Sequence, residues 1–196
     1  MKHFPIIHQH DTMQCGIACL QMVCKYFGRE YTSDSLSNLC FATTEGVSML
    51  GINETANNLG LRTICVKTTT SIFDKSPLPS ILHWDQNHFV VLYKVKKGKK
   101  FYVADPGKGL VTYNLEEFKQ HWISTKSNSE DKGIAMFLET TPTFFTYNIE
   151  ANEDSNNLLL EYLDNSSHLI IQGPPGTGKT YRMANLARHL LDKNKS

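Results

Sequence analysis

The chain opens on a mostly polar stretch and turns apolar at one point. In HQHDTMQCGIACLQMVCKYFG, residues 8–28, the residues Ile17, Leu20, Val23, Cys24 and Phe27 recur at three- and four-residue intervals. That spacing lays an apolar stripe along one face of a helix and predicts α-helix from about Gln14 to Phe27, stopped by Gly28. A second short helix is predicted from about Ser33, with Leu36 and Leu39 turned inward. A third is predicted from about Ser48, carrying Leu50, Ile52, Ala56 and Leu59 and ending at Gly60.

After Gly60 the period shortens. LRTICVKTT is a short run rich in β-branched residues, and PSILHW reads the same way. HFVVLYKVKKGKKFYVADPGKG reads as a hairpin, two apolar runs joined by a lysine-rich turn that holds Gly98. LVTY adds a strand, and NLEEFKQHWI adds a helical turn or two with Asn114 as N-cap. GIAMFLETT closes the series as a further strand. Helices first and antiparallel strands afterwards predict an α+β domain over residues 1–145.

A polar, acidic stretch follows, NIEANEDSNN, and the linker is placed at 146–157. Beyond it the pattern restarts: NLLLEYLD is helical, SHLIIQ is a buried-type strand, and GPPGTGKT opens another helix. Residues 158–196 are therefore read as a second, separate piece. There is no internal repeat and no low-complexity tract.

Composition narrows the class. The 196 residues are 40% hydrophobic with a formal net charge of +1. No strong field draws the whole surface to nucleic acid or membrane, and no nucleic-acid partner is expected for residues 1–145. No run of about 18 apolar residues spans a bilayer. The N-terminus is too polar for a secretory signal. Five cysteines, an odd number without a C-x-x-C pair, argue against a disulfide scaffold and against structural zinc, and no metal site is expected. A reducing cytosol fits this usage.

Against that background Cys15 stands out, because it sits where the first helix begins. Free backbone N–H groups and the helix dipole favour a negative sulfur there, and the thiolate is the attacking species of a cysteine nucleophile. Gly16 beside it would let a substrate backbone come close. His88, in DQNHFVVL, stands where a loop enters a strand and can serve as base. Asp105, in VADPG, ends the partner strand of the same hairpin and can orient that imidazole. Gln9 offers a side-chain amide to an oxyanion. Each residue also has a plain structural reading. Free cysteines are commonly buried, a strand-start histidine is commonly a surface residue, and Asp-Pro-Gly is commonly a turn.

The order and contexts of these residues resemble one family. Gln9, Asp11, Gln14-Cys15-Gly16, then His88-Phe89-Val90-Val91-Leu92, then Asp105-Pro106 are similar to the motifs of bacteriocin-processing cysteine peptidases. These are the papain-like N-terminal domains of peptidase-containing ABC transporters, which remove double-glycine leader peptides. Thr44 to Leu61 also resembles the family, so the likeness covers about three quarters of the chain. It implies a papain-like fold with Cys15 as nucleophile, His88 as general base and acid, Asp105 as orienting residue, and Gln9 with the Cys15 N–H as oxyanion hole. No cofactor is implied for the peptidase. The implied substrate is a peptide precursor whose leader ends in Gly-Gly and docks as a helix. Exposed aromatics such as Tyr93, Tyr102 and Trp122 would be available to it. The implied partner is a membrane transporter in cis or trans, at the cytoplasmic face of the bacterial membrane. One position departs from the pattern: Gln14 stands where the family usually has Asp.

GPPGTGKT, Gly173 to Thr180, fits the phosphate-binding loop in full, between a strand and a helix. Gly173, Gly176, Gly178, Lys179 and Thr180 would hold ATP and magnesium. The flanks resemble the start of a helicase or AAA-like ATPase rather than a transporter ATPase. With no Walker-B strand following, the segment is read as truncated, and ATP hydrolysis by this chain alone is not expected. Two other readings stay open: a non-catalytic module that binds leader peptides, and a regulatory N-terminal domain of a P-loop ATPase.

Overall fold

Ten consecutive residues, Cys15 to Cys24, are buried in the first helix, α1 (Cys15–Tyr26). The apolar stripe that announces the helix thus understates its burial, because Cys19, Met22 and Cys24 are also fully enclosed. A helix apolar on nearly every side must be covered on nearly every side. α2 (Ser33–Leu39), α3 (Met49–Asn58) and the sheet supply that cover. A computed structural model shows this arrangement for residues 3–9, 14–40, 47–127 and 130–147. The chain divides into two units, Met1–Tyr147 and Asn148–Ser196, and every described residue belongs to the first. The linker beyond Tyr147 and the segment 158–196, with Gly173, Gly176, Gly178, Lys179 and Thr180, lie outside the described residues.

Side-chain caps set two of the early boundaries. Thr32 accepts from the Ser35 N–H at the head of α2, and Ser48 accepts from the Gly51 N–H at the head of α3. The inner stripe of α3 is Ile52, Thr55 and Ala56, continued by Leu59 at its C-cap. Thr55 is fully buried, and its hydroxyl donates to the Leu39 carbonyl at 3.0 Å. Leu50 departs from the sequence expectation and stays 65% exposed. It lies two residues before Ile52, and so on the far side of a 3.6-residue turn.

The strands are β1 (Leu61–Thr68), β2 (Ser80–Trp84), β3 (His88–Lys96), β4 (Lys100–Asp105), β5 (Gly109–Asn114), β6 (Ile123–Ser127) and β7 (Glu130–Thr140). Every pairing is antiparallel, in the order β1-β7-β2-β3-β4-β5, with β6 also on β7. Three elements were not foreseen: a 3-10 turn at Thr70–Asp74, the strand β6, and the short helix α5 (Pro142–Thr146). The helix α4 (Leu115–Trp122) begins in a full capping box between Asn114 and Glu117. It stops one residue before Ile123, which is extended and opens β6.

Successive strand residues point to opposite faces. On β3, Phe89 turns toward α1, whereas Val90 and Leu92 join Phe101, Phe118, Trp84 and Trp122 in a second core beneath α4. Trp122, expected on the surface, is fully buried there, and its indole N–H donates to the Ile134 carbonyl at 3.0 Å. Tyr93 and Tyr102 are half-buried and lie beside each other. Phe118 stacks on Phe101 with ring centroids 4.2 Å apart and meets Phe73 edge-on. Phe118→Ala is expected to cost about 3–5 kcal/mol, the range for an emptied aromatic core site. Denaturant unfolding followed by tryptophan fluorescence will measure it.

Candidate active site

α1 lacks the side-chain cap that α2, α3 and α4 have. Gln14 occupies the cap position, and its side chain makes no capping bond. The Gln14 side chain thus leaves the first N–H groups of α1 unbonded by a cap residue, and Cys15 is the first helical residue. Positive potential at this end of the helix meets the one cysteine that begins it.

What lets the helix start come so close to the sheet is Gly16. A Cβ on Gly16 would stand 2.7 Å from Ile52 Cδ1 and 3.3 Å from Phe89 Cδ2. Gly16 is itself buried. In the structure it lets α1 pack closely on Ile52 of α3 and Phe89 of β3. Phe89 directly follows His88, so this contact sets α1 against the start of β3.

The hairpin then assembles the rest. His88 Nε2 donates to Asp105 Oδ1 at 2.8 Å. The same oxygen accepts the Gly107 N–H at 2.8 Å, so the turn after β4 fixes the carboxylate. Asp105 is 1% exposed, and Lys108 Nζ stands 4.0 Å from its other oxygen. With Nε2 committed to Asp105, Nδ1 is the ring nitrogen left for the Cys15 sulfur, which is near enough to help raise the His88 pKa. Cys15, His88 and Asp105, expected together from the sequence, are brought together.

The electrostatics follow from this geometry. Burial alone would lower the His88 pKa. The hydrogen bonds to Asp105 and Cys15, and the attraction of both, outweigh burial and raise it to about 9. For Asp105, burial alone would raise the pKa. The His88 bond, the Gly107 N–H and the charges of His88 and Lys108 outweigh it, holding the carboxyl below its ordinary value. At neutral pH the ring is an imidazolium between a carboxylate and a sulfur. An imidazolium in this place can hold the proton that a departing amine needs.

Gln9 is placed by its backbone. Phe4 is buried in the core, stacked on Tyr93 at 4.6 Å and tilted against Tyr26. From that anchor the chain runs to Pro106, whose carbonyl accepts the Gln9 N–H at 3.2 Å and His8 Nδ1 at 3.3 Å. Gln9 thus sits beside the turn that holds Asp105. Its amide oxygen is buried and has no hydrogen-bond partner among the described residues.

The remaining cysteines differ in kind. Burial pushes the thiols of Cys19 and Cys24 far up and that of Cys40 to about 11, so they stay neutral and inert in the core. Cys65 is exposed on β1. An open apolar groove of about 240 Å³, lined by Ile64, Val66, Ile72 and Phe137 among others, lies on β1 and β7. It is two to three strands from β3 in the sheet order, away from His88 and Asp105.

The comparisons with known proteins bear on this arrangement. The model of the Peptidase C39 family matches residues 3–129. The chain belongs to that family. The matched part is accordingly a peptidase domain, and the fold agrees with solved members. A double glycine motif protease from an AMS/PCAT transporter, crystallised in complex with the leader peptide, superposes with a TM-score of 0.62 at 31% identity, covering 70% of this chain and 91% of that one. The peptidase domain of Streptococcus ComA, a bi-functional ABC transporter involved in a quorum sensing pathway, gives 0.60 at 28% identity, covering 71% and 100%. Among curated relatives, the colicin V secretion/processing ATP-binding protein CvaB of Escherichia coli is 34% identical over 121 residues, 62% of this chain and 17% of that one. The lactococcin-G-processing and transport ATP-binding protein LagD of Lactococcus lactis subsp. lactis is 33% identical over 150 residues, 71% and 21%. The chain thus spans about a fifth or less of the length of these transport proteins.

Sequence reading missed the packing role of Gly16, the Gly107 N–H and the Pro106 carbonyl. Two of these are backbone groups, which carry no sequence signal. An NMR titration of His88 is expected to show a midpoint near 9, falling toward the ordinary imidazole range in Asp105→Asn. A midpoint unmoved by that substitution would show that Asp105 is not the partner. The linkage sign follows: a raised folded pKa gives stability that is complete below the ordinary value near 6.5 and is lost as pH rises through about 9. Gly16→Ala, which pushes α1 off Ile52 and Phe89, is expected to slow alkylation of Cys15 by iodoacetamide about tenfold or more, by spoiling alignment with His88.

Proposed function

We propose that the chain is a thiol endopeptidase that cuts peptide precursors after a double-glycine leader. The observation that carries this reading is His88 held between Asp105 and Cys15 in a chain of the peptidase family. In the mechanism, Cys15 Sγ attacks the carbonyl carbon of the scissile peptide, and the carbonyl oxygen takes the negative charge. The Cys15 N–H, at the uncapped start of α1, and the Gln9 side-chain amide stabilise that oxyanion. His88, an imidazolium, gives its proton to the departing amine, leaving a thioester on Cys15. The now neutral ring takes a proton from water, which attacks the thioester and frees the leader acid. Asp105 keeps the ring's tautomer and plane fixed throughout.

Glycine on the acyl side is supported by burial. Cys15 is only 6% exposed, so a side chain next to the scissile bond would meet the walls around the sulfur. Work beside a membrane transporter, in cis or trans at the cytoplasmic face, is supported by the curated relatives, which are named as secretion and processing proteins. No helix among the described residues is long and apolar enough to cross a membrane. For residues 158–196 the complete GPPGTGKT motif supports a nucleotide-binding segment taking ATP and magnesium. The competing reading, a module that binds leaders without cutting them, is disfavoured because Cys15, His88 and Asp105 are all present, with His88 bonded to Asp105 and its pKa raised in part by Cys15.

A synthetic leader peptide ending in Gly-Gly and extended by several cargo residues tests this directly by mass spectrometry. The expected result is a single cut after the second glycine, with kcat/KM declining above about pH 9 as His88 loses its proton. Cys15→Ala is expected to lose about 10³-fold or more in rate, and Gln9→Ala about 10²-fold in kcat with KM little changed. Binding without cutting would turn the assignment to the cargo-binding module.

A further inference from the structure

A second histidine–carboxylate pair lies outside the catalytic set. His121, in the last turn of α4, meets Asp85 Oδ1 through Nδ1 at 2.8 Å. The Asp85 N–H donates to the His121 carbonyl at 3.0 Å. Two bonds therefore tie the same two residues, although 36 positions separate them. Asp85 and Gln86 carry positive φ angles of 47° and 65°, and they begin the three-residue turn between β2 and β3. Neither is glycine, so a left-handed pair persists only where the surroundings hold it.

That turn delivers His88. Trp84 lies directly opposite His88 in the β2–β3 register, so the two side chains share a face of the sheet. The Trp84 ring stacks on the His121 imidazole at 5.3 Å with planes 14° apart. Tyr113 packs against both rings. His121 thus grips the turn on one side and the cross-strand neighbour of the catalytic histidine on the other. Among the described residues, no hydrogen bond, ion pair or ring contact joins His121 or Asp85 to Cys15 or Asp105.

We propose that His121 and Asp85 are positioning residues for His88: they clamp the left-handed turn to the end of α4, and so fix the strand start from which His88 spans Asp105 and Cys15. This inference rests on the peptidase reading, and its test is built so that the two can fail separately. His121→Phe keeps a ring to stack on Trp84 but loses the bond to Asp85. Asp85→Ala removes the acceptor, and Asp85→Asn keeps an oxygen in its place.

Two rates are measured on the full chain at 20 °C: turnover of the Gly-Gly leader peptide, and alkylation of Cys15 by iodoacetamide, read by peptide mass mapping. The alkylation rate needs no substrate and reports the Cys15–His88 pair alone. His121→Phe and Asp85→Ala are expected to lower kcat about tenfold with KM unchanged, and to slow Cys15 alkylation several-fold, whereas Asp85→Asn keeps most of both. Unchanged rates beside a lowered melting temperature would overturn the proposal, because the pair would then be structural only. So would a rise in KM alone, or an Asp85→Asn variant as impaired as Asp85→Ala. If the parent alkylates rapidly but cuts no leader, the leader reading fails and the positioning proposal is decided on alkylation alone.

Discussion

The site depends on one close approach: the start of a helix must reach the start of a strand with almost nothing between them. Cys15 heads α1 and His88 heads β3, and the residues that follow them, Gly16 and Phe89, are in contact. Any side chain at position 16 would fill the space that the contact uses. The approach also explains the burial of α1, since a helix pressed against the sheet and covered by α2 and α3 must be apolar all round. Packing on this face therefore sets the distance at which the chemistry can occur.

The second face of the sheet does different work. The aromatic core beneath α4 fixes the ends of β2 to β5, where Trp84, His88 and Asp105 stand. Backbone groups complete the carboxylate's surroundings, because Gly107 donates to Asp105 and Pro106 receives Gln9. The His88 ring and the Gly107 N–H both bond one oxygen of the buried Asp105 carboxylate, and Lys108 Nζ stands 4.0 Å from the other. The electrostatic arrangement is stable as a unit and weak in parts, the property wanted in a site that must move protons without moving atoms.

Much of this was legible in the chain. The helices of the first sixty residues and the hairpin over VADPG follow from periodicity and turn residues, and the gathering of Cys15, His88 and Asp105 was expected from their local contexts and the family resemblance. Other features were not legible, for physical reasons. Trp122 reads as a surface aromatic because its neighbours in sequence are polar, yet Gly133 on β7 leaves room for its ring. Leu50 looks apolar and therefore buried, but the helical period puts it outside. The tight packing of Gly16 on Ile52 and Phe89 gave no sign, because those partners lie far along the chain. The pair of Asp85 and His121 gave no sign, since residues so far apart meet only after the sheet and α4 have formed.

The most direct test of the account is to catch the covalent intermediate. The chain is mixed with a Gly-Gly leader precursor, quenched in acid within milliseconds, and weighed intact. A mass increase equal to the leader acyl group, mapped to Cys15, is the expected result, because an imidazolium that protonates the departing amine must leave a thioester behind. Cargo released with no adduct at any time, or an adduct on a different residue, would contradict the claim that Cys15, held by His88 and Asp105, is the nucleophile.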